Sequence, residues 1–124
     1  MSNPGKASAA ILISGSGTNL QSFIDKTETG KLDLDIKVVL SNKPGVAGLE
    51  RARNAGIPVE CVEHRDFPER ETFDAALVDT LDGYAPDLII LAGFMRILTP
   101  VFIDHFAGRI MNIHPSLLPK YPGL

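Results

Sequence analysis

The protein has 124 residues, 44% of them hydrophobic and 22% charged, which suits one soluble globular domain and is too short for two cores. Its net charge of −3 leaves no basic excess to displace counterions from phosphates, and its single cysteine excludes a disulfide framework and a thiolate metal site. Nothing reaches the run of about 18 apolar residues that a membrane span needs, and MSNPGKAS lacks the apolar segment of a secretory signal. Residues 1–8 therefore read as a flexible tail, and the compartment as reducing and cytoplasmic.

In chain order, AAILIS (9–14) is a continuous apolar run of the kind expected for a strand covered on both faces. GSGTN follows, and LQSFIDKTE then places Leu20, Phe23, Ile24 and Thr27 at helical spacing before Gly30. DIKVVLS (35–41) predicts a second strand, PGVAGLERARNAGI a loop and a short helix ended by Gly56, and PVECVEH (58–64) a third strand. Phe73, Ala76, Leu77, Thr80, Leu81 and Tyr84 lie on one face of the clearest helix, with Pro68 at an early helical position and Pro86 at the exit. DLIILAG (87–93) is a fourth strand, PVFIDHFAG another short helix and RIMNIH (109–114) a fifth strand. This alternation predicts an α/β domain, a Rossmann-like and largely parallel sheet flanked by helices.

Ligands of such sheets bind beyond the carboxyl ends of the strands, near a switch in strand order. The segments to inspect are therefore 15–19, 42–46, 65–70, 93–98 and 112–119. In the first, Gly15 and Gly17 allow a tight turn, Thr18 or Asn19 can cap the helix, and its free N–H groups suit an anion. Leu20 stands where a dinucleotide fingerprint needs glycine, and Ser41, Asn42 and Lys43 stand where it wants an acid. The loop suits a single phosphate; the plainer reading is a well-capped turn.

Asn112 and His114 share one face of the last strand, at its carboxyl end, and Pro115 stiffens the backbone behind them. When an amine attacks a carbonyl or formyl carbon, charge collects on oxygen. A fixed amide can donate to that oxygen, while an imidazole donates or moves protons. No serine or cysteine nucleophile accompanies the pair, which favours direct transfer over a covalent intermediate. The competing reading is a strand-end pair that satisfies nearby backbone. His64 and His105 read as structural, and no metal-ligand spacing appears, so no metal is expected. In LAGFMRILTP, the run Phe94 to Leu98 is either an apolar wall for a flat ring, broken by Arg96, or core filling. Arg70 is either a surface charge or a clamp for an acidic ligand group.

Taken together and in order, ISGSGTNLQ, SNKPGVAGLERARNAGI, LAGFMRILTP and MNIHPSLLPKYPG closely resemble the phosphoribosylglycinamide formyltransferases, folate-dependent enzymes of purine synthesis. The resemblance covers the chain from about residue 9 and implies that 9–124 is the N-terminal, mononucleotide-binding part of a formyltransferase domain. It implies transfer of a formyl group from 10-formyltetrahydrofolate to the amine of glycinamide ribonucleotide. By position, Gly17, Thr18 and Asn19 would bind the substrate phosphate. Arg70, Met95, Arg96, Ile97, Leu98 and Asn112 would contact the reduced folate, and Asn112 and His114 would be catalytic, with His114 the general acid.

Methionyl-tRNA formyltransferases and formyltetrahydrofolate hydrolases share a similar Asn-x-His strand, but the GSGTN loop and the HPSLLP turn favour the glycinamide enzymes. The family also carries, on a later loop, an aspartate that pairs with the histidine, and no residue here matches it. The sequence thus predicts a partial enzyme, with self-association through an uncovered sheet edge and weak activity alone as the alternative outcome. An unrelated mononucleotide-binding module shares only the sheet architecture.

Overall fold

A computed structural model of the protein describes residues 7–113. It contains strands β1 (Ala7–Ile13), β2 (Leu34–Ser41), β3 (Val59–Cys61), β4 (Leu88–Ala92) and β5 (Ile110–Ile113). The helices are α1 (Thr18–Glu28), α2 (Ala47–Asn54), α3 (Arg70–Asp82) and α4 (Pro100–His105), with a single 3₁₀ turn at His64–Asp66. All four strand pairings are parallel, in the order β3-β2-β1-β4-β5. The α/β, Rossmann-like expectation is met.

β1 lies at the centre because its sequence tolerates burial on both faces: Ala9 through Ile13 are all buried. Alternation sends Ala9, Ile11 and Ile13 towards Leu20, Phe23 and Ile24 of α1 and Leu49 and Ala52 of α2. Ala10 and Leu12 face the other layer, where Phe73, Leu77 and Leu81 of α3 meet Phe102 of α4 and Phe106 at its C-terminal cap. On the α1 side, a groove of about 390 Å³ runs past Phe23, Leu34, Leu88, Ile90, Met111 and Ile113. It is largely apolar.

Several boundaries differ from the sequence expectation. Ala7 and Ser8 belong to β1 and not to a tail: Ala7 pairs with Leu34, and Ser8 and Asp87 exchange hydrogen bonds of 2.8–3.0 Å. The third strand is much shorter than 58–64, because the chain turns into the 3₁₀ segment at His64. Pro68 precedes α3, whose cap is Glu69; the proline that opens a helix is Pro100, at the start of α4.

Strand order determines where ligands meet the sheet. The chain steps outward from β1 to β2 to β3, then crosses back to place β4 and β5 on the other side of β1. The switch point is therefore between β1 and β4, and the loops after these two strands border one crevice.

Candidate functional site

The loop after β1 turns at Gly17, whose φ of 75° is left-handed and whose carbonyl accepts the first intrahelical bond, from Gln21 N–H at 2.8 Å. Gly17 is thus the cap of α1, with no side-chain cap bond; Thr18 and Asn19 are its first two helical residues and not caps. Their N–H groups belong to the helix end that has no intrahelical acceptor. Only Gly17 requires glycine. Gly15 has open space around its Cβ position and no positive φ.

The N-terminal part of α2 braces this loop. Gly48 N–H donates to Gly15 O (3.1 Å), and Arg51 Nε donates to Ser16 O (2.7 Å). Carbonyls are thereby drawn towards α2, while the helical N–H groups remain directed out of the end of α1. Arg51 and Gly48 carried no sequence signal for this role, because their partners lie 35 and 33 positions away.

The loop after β4 is held from both sides. Met95 N–H donates to Ser14 Oγ at 2.7 Å, and Ser14 in turn donates to Asn42 Oδ1 at 2.6 Å. At the other end, Asp74 Oδ2 accepts from Thr99 N–H (2.6 Å) and Thr99 Oγ1 (2.7 Å). Ser14, Asn42, Asp74 and Thr99 are all buried. The Arg96 guanidinium lies over the Phe73 ring at 4.9 Å, a cation–π contact with the first turn of α3.

The 94–98 run divides its side chains. Phe94 and Leu98 pack against the α3–α4 core, whereas Met95 and Ile97 are 75% and 74% exposed. Exposed apolar side chains on an anchored backbone can present a flat ring with both a surface and fixed hydrogen-bonding groups. Arg70 begins α3 and is exposed, one helical turn from Phe73. The segment and the arginine are thus brought to the same end of α3.

Asn112 is exposed on β5, in register with Leu91, which pairs with Leu12 of β1. It shares the sheet face of Ile110, as alternation requires, and lies two strands, about 10 Å, from β1. His114 lies outside the described residues. His105 pairs with Asp82 on the surface at 3.0 Å. Burial, and then the carboxylates of Glu63 and Asp66, push the Cys61 thiol above the ordinary range. Among the described residues, no group of three or more His, Cys, Asp and Glu side chains could hold a metal ion, and no helix is long and apolar enough to cross a membrane.

Comparison with known proteins bears on this edge as a whole. The formyl transferase family model matches residues 7–124. Phosphoribosylglycinamide formyltransferase of Escherichia coli is 54% identical over 92% of this chain and 54% of its own length. The human trifunctional purine biosynthetic protein adenosine-3 is 46% identical over 95% of this chain and 12% of its own length. The crystal structure of glycinamide ribonucleotide transformylase 1 from Symbiobacterium toebii superposes with a TM-score of 0.87 at 43% identity, covering 98% of this chain and 57% of that one. The chain spans about half the length of the single-function relatives it matches. With a parallel sheet of this order and its family's sequence pattern from the first strand onward, the chain belongs to the formyl transferase family.

Proposed function

We propose that the protein serves formyl transfer from 10-formyltetrahydrofolate to the amine of glycinamide ribonucleotide, with the ligands laid across the carboxyl edge of the sheet. The observation that carries this reading is the convergence of three segments on that edge. These are the braced loop at 15–19, the anchored apolar segment at 94–98 and the exposed Asn112. The likeness to proteins named phosphoribosylglycinamide formyltransferase and glycinamide ribonucleotide transformylase supports the reading.

In this reading, Gly17, Thr18 and Asn19 hold the substrate phosphate, where backbone N–H groups and the positive end of an 11-residue helix meet an anion. Met95 and Ile97 offer apolar surface to a reduced folate, the backbone of 95–98 reads its ring edge, and Arg70 meets an acidic group at its far end. The amine attacks the formyl carbon and the C=O electrons move onto oxygen. Asn112 donates to that oxygen. As the C=O re-forms, the C–N bond to the folate breaks, His114 delivers a proton to the leaving nitrogen, and the proton shed by the attacking amine restores that histidine.

The test is Asn112→Ala in a chain extended to the length of the relatives, with formyl transfer followed by steady-state kinetics. Loss of one such donor lowers kcat by about 100- to 1,000-fold with little change in KM for the nucleotide. Near-normal kcat sinks the assignment. Release of formate without any glycinamide acceptor would identify a hydrolase instead.

A further inference from the structure

We infer that Ser14 is a positioning residue that ties the folate-facing segment to the end of β1, immediately before the anion loop; this rests on the functional reading above. Ser14 directly follows the buried run of β1 and is itself buried, with 4% relative exposure. Its hydroxyl has one proton and accepting lone pairs. A backbone N–H can only donate, so the bond from Met95 N–H makes Ser14 Oγ an acceptor there, and its proton must go elsewhere. It goes to Asn42 at the end of β2, which fixes the oxygen of that amide towards Ser14.

One hydroxyl therefore joins the carboxyl ends of β1, β2 and β4. The joint sits at the switch point, between the two loops that border the crevice. Met95 is the residue whose amide is captured and whose side chain stands 75% exposed. Pinning that amide determines how Met95 and Ile97 are presented without Ser14 touching a ligand. The other end of the segment is fixed separately, by Asp74 on Thr99. Loss of Ser14 Oγ thus frees only the half of the segment nearest the anion loop.

The test is residue-resolved amide hydrogen exchange on the chain as it stands, comparing wild type with Ser14→Ala, Ser14→Cys and Ser14→Thr. Exchange at Met95 should accelerate about 10-fold in the Ala and Cys variants, while the amides of Leu12 and Ile90 stay unchanged and the Thr variant, which keeps the hydroxyl, remains close to wild type. The Cys variant retains nearly the size of serine, so it decides the matter if the Ala variant fails to fold. Unchanged exchange at Met95, or equal acceleration throughout β1 and β4, overturns the inference.

Calorimetric titration of chains extended to the length of the relatives, with 5-formyltetrahydrofolate and, separately, inorganic phosphate, supplies the functional half. Folate affinity should fall about 10-fold in Ser14→Ala, while phosphate affinity is unchanged. Equal folate affinity in the two proteins overturns the positioning role. A wild-type chain that takes up no folate overturns the functional reading beneath it, with the exchange data still deciding whether Ser14 holds the segment.

Discussion

A Cβ atom added to Gly17 would lie 2.6 Å from the Cα of Gly48, so the turn after β1 and the first turn of α2 meet backbone to backbone. Gly48 is constrained in return: a Cβ there would strike Ile13 Cδ1, which can move, and would stand 2.9 Å from the carbonyl of Gly15, which cannot move without distorting the loop. Gly17→Ala adds a left-handed backbone to the clash and should destabilise the protein by about 2–4 kcal/mol. Gly48→Ala should cost about 1–3 kcal/mol. Gly15→Ala, with open space around it, should stay within about 0.5 kcal/mol of wild type. Urea unfolding of the three variants checks the ranking; a Gly15 variant as damaged as the Gly17 variant would refute it.

Asp74 is buried within an otherwise apolar helix face and receives both donors of Thr99, the cap of α4. Asp74→Ala leaves those donors without their acceptor and should cost about 3 kcal/mol. Asp74→Asn keeps one accepting oxygen and should cost about 1 kcal/mol. Denaturant midpoints measure both. Equal losses would mean that the carboxylate charge, and not its capacity to accept, holds the loop.

Ala85 is left-handed, with φ 49°, in the turn between α3 and β4, where its carbonyl accepts from Ser8 Oγ at 3.2 Å. Glycine adopts that backbone without the Cβ penalty and retains the carbonyl, while its greater freedom in the unfolded chain offsets part of the gain. Ala85→Gly should raise stability by about 0.5 kcal/mol, seen as a higher melting temperature. A lower melting temperature would show that the turn is not strained.

Tyr84 OH donates to Glu60 Oε2 at 2.6 Å, linking the exit of α3 to β3. That hydrogen bond, then burial and the Glu60 charge, hold the phenol above its ordinary range. Because the folded state retains the proton more tightly than the unfolded one, the contribution is full below the ordinary phenol pKa, about 10, and is lost as pH rises through the higher folded value. Tyr84→Phe should lose about 1 kcal/mol at pH 7, after allowance for solvent screening, and the gap to wild type should narrow at more alkaline pH. Unfolding curves at pH 7 and in the alkaline range test the sign. A gap that widens with alkalinity contradicts it.

Much of this was legible in residue order. The unbroken run at Ala9–Ile13, the three-and-four spacing of Phe73, Leu77 and Leu81, and the breaks between them predicted strand, helix and parallel sheet, because side-chain period is a local property. The position of the glycine loop after β1 was readable for the same reason. Reading was least accurate at the ends of elements. Ser8 looked like tail because its bond to Asp87 spans 79 positions, and Thr18 looked like a cap because the left-handed turn at Gly17 is not visible in composition.

By itself, then, the sequence determined which segments become strands and helices, the parallel class of the sheet, and which loops follow the strands. Its motif order also pointed to the family. Only the tertiary structure decided that β1 neighbours β4, that Phe94 and Leu98 turn inward while Met95 and Ile97 turn out, and that Gly48 seats Gly17. The physical reason is range. Ser14 meets Met95 across 81 positions, Asn42 across 28, and Asp74 meets Thr99 across 25, so these contacts arise only when strand order closes and leave no periodic trace in the chain.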